Sequence, residues 1–431
     1  MPFETINTDR RSVAVVGGGI SGLAAAHLLA DRHRVVLYEA ATRLGGHART
    51  VLAGKRGDQP VDTGFIVFNK VNYPGLLGLF ETLDVPYVES DMSFGASIDG
   101  GRLEFGLRSP AALFCQPTNA LKPAYLRMLR DVMRFNRHGP AAAGDGSLSI
   151  RALLDALGTG PWFRDYYLLP LSGAIWSTPT QDILDFPARA LLDFFRNHAL
   201  LGATGQHQWY TVDGGSVEYV RRLEASLTAR GVDLRTGAPV AAIRRGDGPG
   251  VMIRARGGAE EHFDEVILAT HSDDSLAMLS DADGRERLAL SKVRYQPNRA
   301  VLHADTSVMP QRRRAWASWN YTEAPGRRPD RIDLTYWMNS LQPIPLDDPM
   351  FVTLNGTRPV DEALIYDEVE FRHPVYDAAA LEGQAEIRAL NGTRNTWFCG
   401  AWMRNGFHED GFASAVDVVR AMADPANQAA A

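Results

Sequence analysis

Residues 13–50 read VAVVGGGISGLAAAHLLADRHRVVLYEAATRLGGHART. The stretch predicts a strand, a glycine turn, a helix, a second strand and a second glycine pair. Val13, Ala14, Val15 and Val16 form the short apolar run of a buried parallel strand. Gly17, Gly19 and Gly22 follow at G-x-G-x-x-G spacing. Gly17 permits the tight turn out of the strand, and Gly19 lets the backbone approach a pyrophosphate. Gly22 lets the helix beginning near Ile20 and Ser21 pack closely on the sheet. The helix N-terminus then faces the phosphates. A second apolar run, Val35 to Tyr38, ends at Glu39, where a carboxylate accepts hydrogen bonds from an adenosine ribose and disfavours the 2′-phosphate of NADP.

After Glu39 the chain continues Ala40, Ala41, Thr42, Arg43, Leu44, Gly45, Gly46, His47. This resembles the E-A-x-x-R-x-G-G-R signature of FAD enzymes in the amine oxidase and phytoene desaturase superfamily. The resemblance implies FAD as cofactor, with Gly45 and Gly46 passing the pyrophosphate from its other side and Arg43 near it. One departure is visible: His47 stands where the family usually has arginine, with Arg49 nearby. The fold implied is α/β, a Rossmann-like FAD-binding domain of the glutathione reductase type interleaved with an α+β substrate domain containing an antiparallel sheet. The corresponding segments are 10–75, 206–284 and 391–425 for the FAD-binding domain, and 76–205 and 285–390 for the substrate domain.

A chain of 431 residues can bury one large core or two interleaved ones. With 22% charged residues and a net charge of -6, global charge does not suggest a nucleic-acid partner. Only Cys115 and Cys399 occur, far apart, so neither a disulfide framework nor a cysteine zinc site is available and no metal is expected. The start, MPFETINTDRR, lacks an apolar signal segment, and no run of about 18 apolar residues follows. Cytoplasmic placement is expected, with contact at the inner face of the membrane left open.

Downstream, VDTGFIVFN has strand character from Val61 to Phe68, interrupted by Thr63 and Gly64. By resemblance this turn passes the isoalloxazine ring, with Thr63, Gly64 and Phe65 as contacts; a plain strand with a glycine bulge is the other reading. From about 76 to 205 the pattern is mainly helical. In AYLRMLRDVMRFNR, residues 124–137, arginines fall at spacings of 3, 4 and 3 opposite an apolar stripe. Such a helix either lies on an anionic membrane surface or simply presents a solvated face over a core. ARALLDFFRNHALL, residues 188–201, is a second apolar helix that lines a greasy cavity or belongs to the core.

At Trp209 the chain returns to the FAD-binding domain. By resemblance Val240 meets the adenine and the strand ending at Ala269 runs under the cofactor. Residues 285–390 are aromatic-rich and strand-like, suiting an antiparallel sheet that walls a cavity, with Trp319, Tyr321 and Trp337 as candidate walls. TWFCGAW is a strand ending at Gly400, and NGFHEDGFASAVDVVRAM opens a helix at about Gly411. By resemblance Gly411, Phe412 and Ala413 lie at the flavin N1/O2 edge, where the helix dipole stabilises reduced flavin. Trp402 stands where many relatives carry a ribityl-binding carboxylate, and Asp410 or Glu409 is the candidate substitute.

Within the superfamily, GGHART, VDTGFIVFN, VDGGSVEYV, SWNY and GFHEDGFASA resemble a bacterial branch linked to remodelling of unsaturated or methyl-branched fatty acyl chains. That implies desaturation of a lipid chain or other small apolar substrate by hydride transfer to flavin N5, with a proton leaving the neighbouring carbon. His408 and Glu409 are the candidate bases, with His271 a third. Two other readings stand beside it: a flavin amine oxidase acting on a small amine, which needs an aromatic cage and commonly a lysine near N5, for which Lys70 is the candidate, and a non-oxidative, isomerising flavoprotein. Oligomeric state is open.

Overall fold

The computed structural model describes residues 10–144, 148–176, 183–197, 201, 206–246, 248–326 and 333–424. The stretch that opens the sequence forms β1 (Ser12–Val16), α1 (Ile20–Leu29) and β2 (Arg34–Tyr38). β1 lies at the centre of a five-stranded parallel sheet in the order Asp233–Arg235, β2, β1, Glu265–Leu268, Thr396–Phe398. Its strands are buried because both faces are covered, one by helices and the other by a three-stranded sheet and further helices, so they are apolar without alternation. α1 is apolar almost all round for the same reason: it is held between the sheet and the last helix, His408–Met422. All these strands end at the same edge, so Gly17, Glu39, Ala269 and Gly400 converge there. That three-stranded antiparallel sheet is Val240–Arg244, Val251–Ala255 and Glu260–Phe263, and its Ile243, Val251, Ile253 and Phe263 pack on Ala14, Val16, Val36 and Val266.

The second unit is built on a seven-stranded sheet ordered Ile365–Val375, Arg294–His303, Phe351–Leu354, Leu334–Trp337, Trp319–Thr322, Phe94–Ile98, Leu103–Gly106. It is antiparallel except where Trp319–Thr322 runs parallel to Phe94–Ile98. A helical layer containing Pro123–Ala142, Ile150–Leu157 and Ala188–Asn197 shares one apolar core with this sheet.

One sequence expectation changes here and two become definite. Segment 76–205 is not mainly helical at its start: Tyr87–Ser90, Phe94–Ile98 and Leu103–Gly106 are strands. The run from Val61 to Phe68 is two strands, Gln59–Asp62 and Val67–Asn69, separated by a turn. Of the helix foreseen at 188–201, Ala188–Asn197 is helical and residues 198–200 lie outside the described residues; of the two readings the sequence left open, Ala188, Leu191, Leu192 and Phe195 take the core one. The C-terminal tail from residue 425 also lies outside them.

Candidate functional site

One large cavity, of about 1490 Å³, begins at the converging strand ends and runs through to the helical layer of the second unit. Its first part is a cradle of backbone. Gly17 has φ +109°, and a Cβ there would lie 2.8 Å from the Ala269 carbonyl oxygen. At Gly22 a Cβ would lie 1.8 Å from the Gly17 carbonyl oxygen, so no side chain fits between α1 and the turn. Gly19 differs: a Cβ would meet only the Gly46 Cα, at 4.0 Å, because Gly19 faces the cavity. The second glycine pair is clamped behind it, with Gly45 N–H donating to the Gly18 carbonyl at 2.8 Å. Glu39 is oriented by two backbone donors, Gly18 N–H at 2.6 Å and Ala41 N–H at 2.7 Å.

These residues fit an adenine dinucleotide. The N-terminus of α1, which lines the cavity at Gly19, Ile20 and Ser21, supplies donors and positive dipole for a pyrophosphate. Glu39 and Ala40 stand where a ribose is recognised, and Ala238, Pro239 and Val240 continue the wall. Farther along come Gly46, His47, Gly64, Phe65, Ala269, Gly400, Ala401, Trp402, Phe407 and His408. The last helix starts at His408, so its first N–H groups meet this part of the cavity.

Several residues assigned from the signature do other work. Arg43 does not reach the cavity, because its guanidinium donates to the carbonyls of Leu44, Gly46 and Ala48 and braces the second glycine loop from behind. Leu44 and Gly45 likewise back the loop rather than line it. Thr63 is held by Arg49, which also makes a two-pronged pair with Asp367. Glu409 turns away: its carboxylate accepts from Gly75 and Leu76 N–H at 2.9 and 2.8 Å, capping helix Pro74–Thr82. Asp410 accepts from Phe407 N–H as its own helix cap, with burial raising its carboxyl to about 6. Gly411 serves helix packing, since a Cβ there would meet Ile20 and Ser21, and Phe412 and Ala413 also lie off the cavity lining. Of the aromatic walls only Trp319 lines the cavity. Tyr321 bonds Glu323, and Trp337 packs with Met309, Trp316 and Phe351. Lys70 is exposed over the rings of Tyr87 and Tyr210.

His408 and His271 do reach the cavity, and two further histidines join them. His408 stacks on Phe65 with ring centroids 3.9 Å apart, and its Nε2 lies 2.6 Å from the Tyr219 hydroxyl. His271 stacks on Tyr295 at 4.2 Å. His47 stacks on Phe371 at 4.9 Å and lies 5.4 Å from His373. Burial is the main cause that keeps all four uncharged. It lowers His47 to about 4, helped by Arg43, and lowers His271, His373 and His408 to about 3, each helped by His47. His373 was not singled out from the sequence. Asn355 donates to the Asn298 oxygen at 2.6 Å, and the Asn298 amide donates to His373 Nδ1 at 2.6 Å, which leaves the proton on Nε2. The cue available was a polar Asn298 at an inward position of a strand whose flanks, Pro297 and Arg299, face out.

The far lobe is walled by Phe94, Phe105, Leu113, Met128, Leu129, Val132, Tyr167, Leu171, Trp319, Tyr336 and Leu341. Its polar residues sit toward the rim: Asp91 with Arg108 at 3.7 Å, then Ser93, Ser109, Asn136 and Gln206.

A dinucleotide cradle opening onto a mostly apolar chamber defines a flavin-dependent oxidoreductase. The chain matches the family model described as flavin containing amine oxidoreductase over residues 20–326, more than half its length, and it belongs to that family. Its cofactor is FAD. Among solved structures, a CLA-producing fatty acid isomerase from P. acnes shares 16% identity with a TM-score of 0.69, covering 97% of this chain and 100% of that one. A putrescine oxidase shares 15% with a TM-score of 0.68, covering 96% and 99%. Cyclohexylamine oxidase from Brevibacterium oxydans shares 15% with a TM-score of 0.64, covering 96% and 100%. At these identities the likeness is one of fold.

Proposed function

We propose that this oxidoreductase dehydrogenates an apolar acyl chain, removing two hydrogens across a carbon–carbon bond of an unsaturated or methyl-branched fatty acyl lipid. The observation that carries the reading is the chemistry of the far lobe. Among the described residues no lysine lines the cavity, and each carboxylate that reaches it has a partner: Glu39 has two backbone N–H groups, Asp91 has Arg108 and Asp274 has Arg372. An ammonium substrate needs an uncommitted carboxylate or a pair of facing rings. Trp319 and Tyr336 instead meet edge to face at 5.5 Å and leave no slot between them. An acyl chain needs only apolar walls, and each methylene buried contributes about 0.8 kcal/mol.

Bound FAD supplies the two-electron acceptor that takes the hydride, and dioxygen or another external two-electron acceptor later removes it. The protein's part is to exclude water, align the chain and take the proton. The walls from Met128, Val132, Tyr167 and Leu171 do the first two. His408, fixed flat on Phe65 with its Nε2 2.6 Å from the Tyr219 hydroxyl and kept neutral by burial, is the candidate acceptor for the proton that leaves the neighbouring carbon. His373 carries its proton on Nε2 and so donates rather than accepts.

The test is to incubate the flavin-loaded protein with unsaturated and methyl-branched fatty acids, free and as phospholipid, and to follow them by mass spectrometry beside putrescine and cyclohexylamine. Loss of two hydrogens from an acyl chain supports desaturation. A shifted double bond at unchanged mass replaces it with isomerisation, a reading favoured by the fatty acid isomerase of the same fold. Turnover of an amine alone overturns both.

A further inference from the structure

Helix Pro123–Ala142 is the cavity's outer wall, and its two sides differ. Tyr125, Met128 and Phe135 are buried, while Leu129, Val132, Met133 and Asn136 line the cavity. One turn round, Leu126, Arg130, Met133 and Arg137 fall at spacings of 4, 3 and 4 and form a single exposed stripe. Met133 belongs to both sets: it is 65% exposed and also borders the cavity, so it stands at the mouth. Leu126 is 46% exposed, and Leu121, just before the helix, is 83% exposed. Arg108 is an exposed cation on the opposite rim.

This is a cationic patch on a chain whose net charge is -6, interleaved with exposed large apolar side chains. Arginines alone describe a solvated face, or a surface for an acidic protein. Leucine and methionine standing out between them, beside an opening into an apolar chamber, match a phospholipid surface: the apolar side chains enter the acyl boundary while the guanidinium groups stay at the headgroups.

We propose that helix Pro123–Ala142 is a membrane-docking face that seats Leu126, Arg130, Met133 and Arg137 on an anionic bilayer, with the cavity mouth opening onto the lipid. What then passes through the mouth rests on the acyl-chain reading above; the docking itself does not. No helix of the described residues is long and apolar enough to cross a membrane.

The experiment is flotation of the FAD-loaded protein with vesicles of phosphatidylcholine alone or mixed with phosphatidylglycerol, followed by flavin absorbance. Wild type binds the phosphatidylglycerol vesicles at low salt and releases as salt rises. The pair Arg130→Glu, Arg137→Glu weakens binding by roughly 30-fold or more, from about 1 kcal/mol for each surface cation. Leu126→Asp lowers binding further at every salt concentration. The charge-matched pair Arg254→Glu, Arg256→Glu, exposed on the three-stranded sheet of the other unit, leaves binding unchanged. Retained flavin in each variant shows that the fold is intact. Wild type that stays off phosphatidylglycerol vesicles at low salt, or equal losses from the two charge-reversed pairs, overturns the proposal. Binding that holds while no acyl chain is turned over leaves docking standing and removes the acyl-chain reading.

Discussion

Gly19 and Gly22 sit three residues apart in one motif, yet the structure gives them separable jobs that two substitutions can test. Gly19 has φ -77° and ψ -176°, an extended conformation open to any residue, and the nearest atom to a Cβ there is 4.0 Å away. Gly19→Trp therefore costs the apoprotein only the loss of glycine at a helix start, about 1 kcal/mol. The indole, however, fills the space where the pyrophosphate must approach. At Gly22 the Cβ falls 1.8 Å from the Gly17 carbonyl oxygen, while real contacts stay beyond 3.0 Å. Gly22→Ala thus pushes α1 off the turn by about 1.2 Å, the difference of those two distances, and overpacking of that size costs roughly 1–3 kcal/mol in the fold itself. Bound FAD at a hundredfold excess over its dissociation constant adds about 2.7 kcal/mol to a loaded protein. The assay is the flavin-to-protein absorbance ratio after purification, then thermal melting of each apoprotein with and without added FAD. Gly19→Trp is expected to be colourless, to melt within a few degrees of the wild-type apoprotein, and to show no shift on adding FAD. Gly22→Ala is expected to melt lower even without cofactor. A yellow, fully loaded Gly19→Trp would refute the cradle assignment.

The four cavity histidines and buried His303 have folded values of about 3 to 4, against about 6.5 unfolded. The unfolded chain therefore binds more protons between those limits, and stability falls as pH drops from 6.5 toward 4, by up to about 1.4 kcal/mol per pH unit for each histidine. Urea denaturation at pH 7 and pH 5 checks this, and equal midpoints would count against it. Arg245, buried, is paired with buried Glu286 and with Asp281 at 2.9 Å, so Arg245→Met strands a carboxylate and is expected to cost about 3–5 kcal/mol by urea melts, most of it regained in Arg245→Met, Glu286→Leu. Lys70→Ala is expected to leave turnover unchanged and to remove only an exposed ring contact; a large fall in turnover in a stopped-flow assay would bring the amine oxidase reading back.

The cradle was legible because its physics is local. A turn that needs Gly17 at φ +109° and a helix that needs Gly22 bare are written within ten residues. What the motif could not say is where the side chains around it point. Arg43 spends its donors on carbonyls of its own loop, and Glu409 caps a helix 334 residues away in sequence, a contact no spacing rule carries. Phe94–Ile98 reads FGASI and is buried at all five positions, so it lacks the alternation that marks a half-buried strand. Aromatic richness announced the sheet of the second unit but not which rings face the cavity, because Trp319 and Tyr321 share one face of one strand and only their position along it separates the ring that lines the cavity from the ring that bonds Glu323.

The two units are locked together beside the cavity they share. Arg49 of the first grips Asp367 of the second with both guanidinium nitrogens, at 2.6 and 3.0 Å. Asp62 and Gln342 exchange two hydrogen bonds of 2.9 Å, backbone N–H to amide oxygen one way and amide N–H to carboxylate the other, and Asp62 also holds Ser216 at the start of helix Val217–Ala229. Each of these bonds is partly or wholly buried, where an unmatched partner costs about 1–3 kcal/mol, so parting the units exposes several at once. Substrate entry by opening this seam is therefore the expensive route. The mouth between Arg108 and Met133 is already open, and its rim is apolar inside and cationic outside. On the proposed acyl-chain reading, a chain that slides lengthwise through such a rim leaves any charged headgroup among the arginines and carries only methylenes to the flavin end, which joins the seam, the mouth and the apolar lobe in one account of substrate choice.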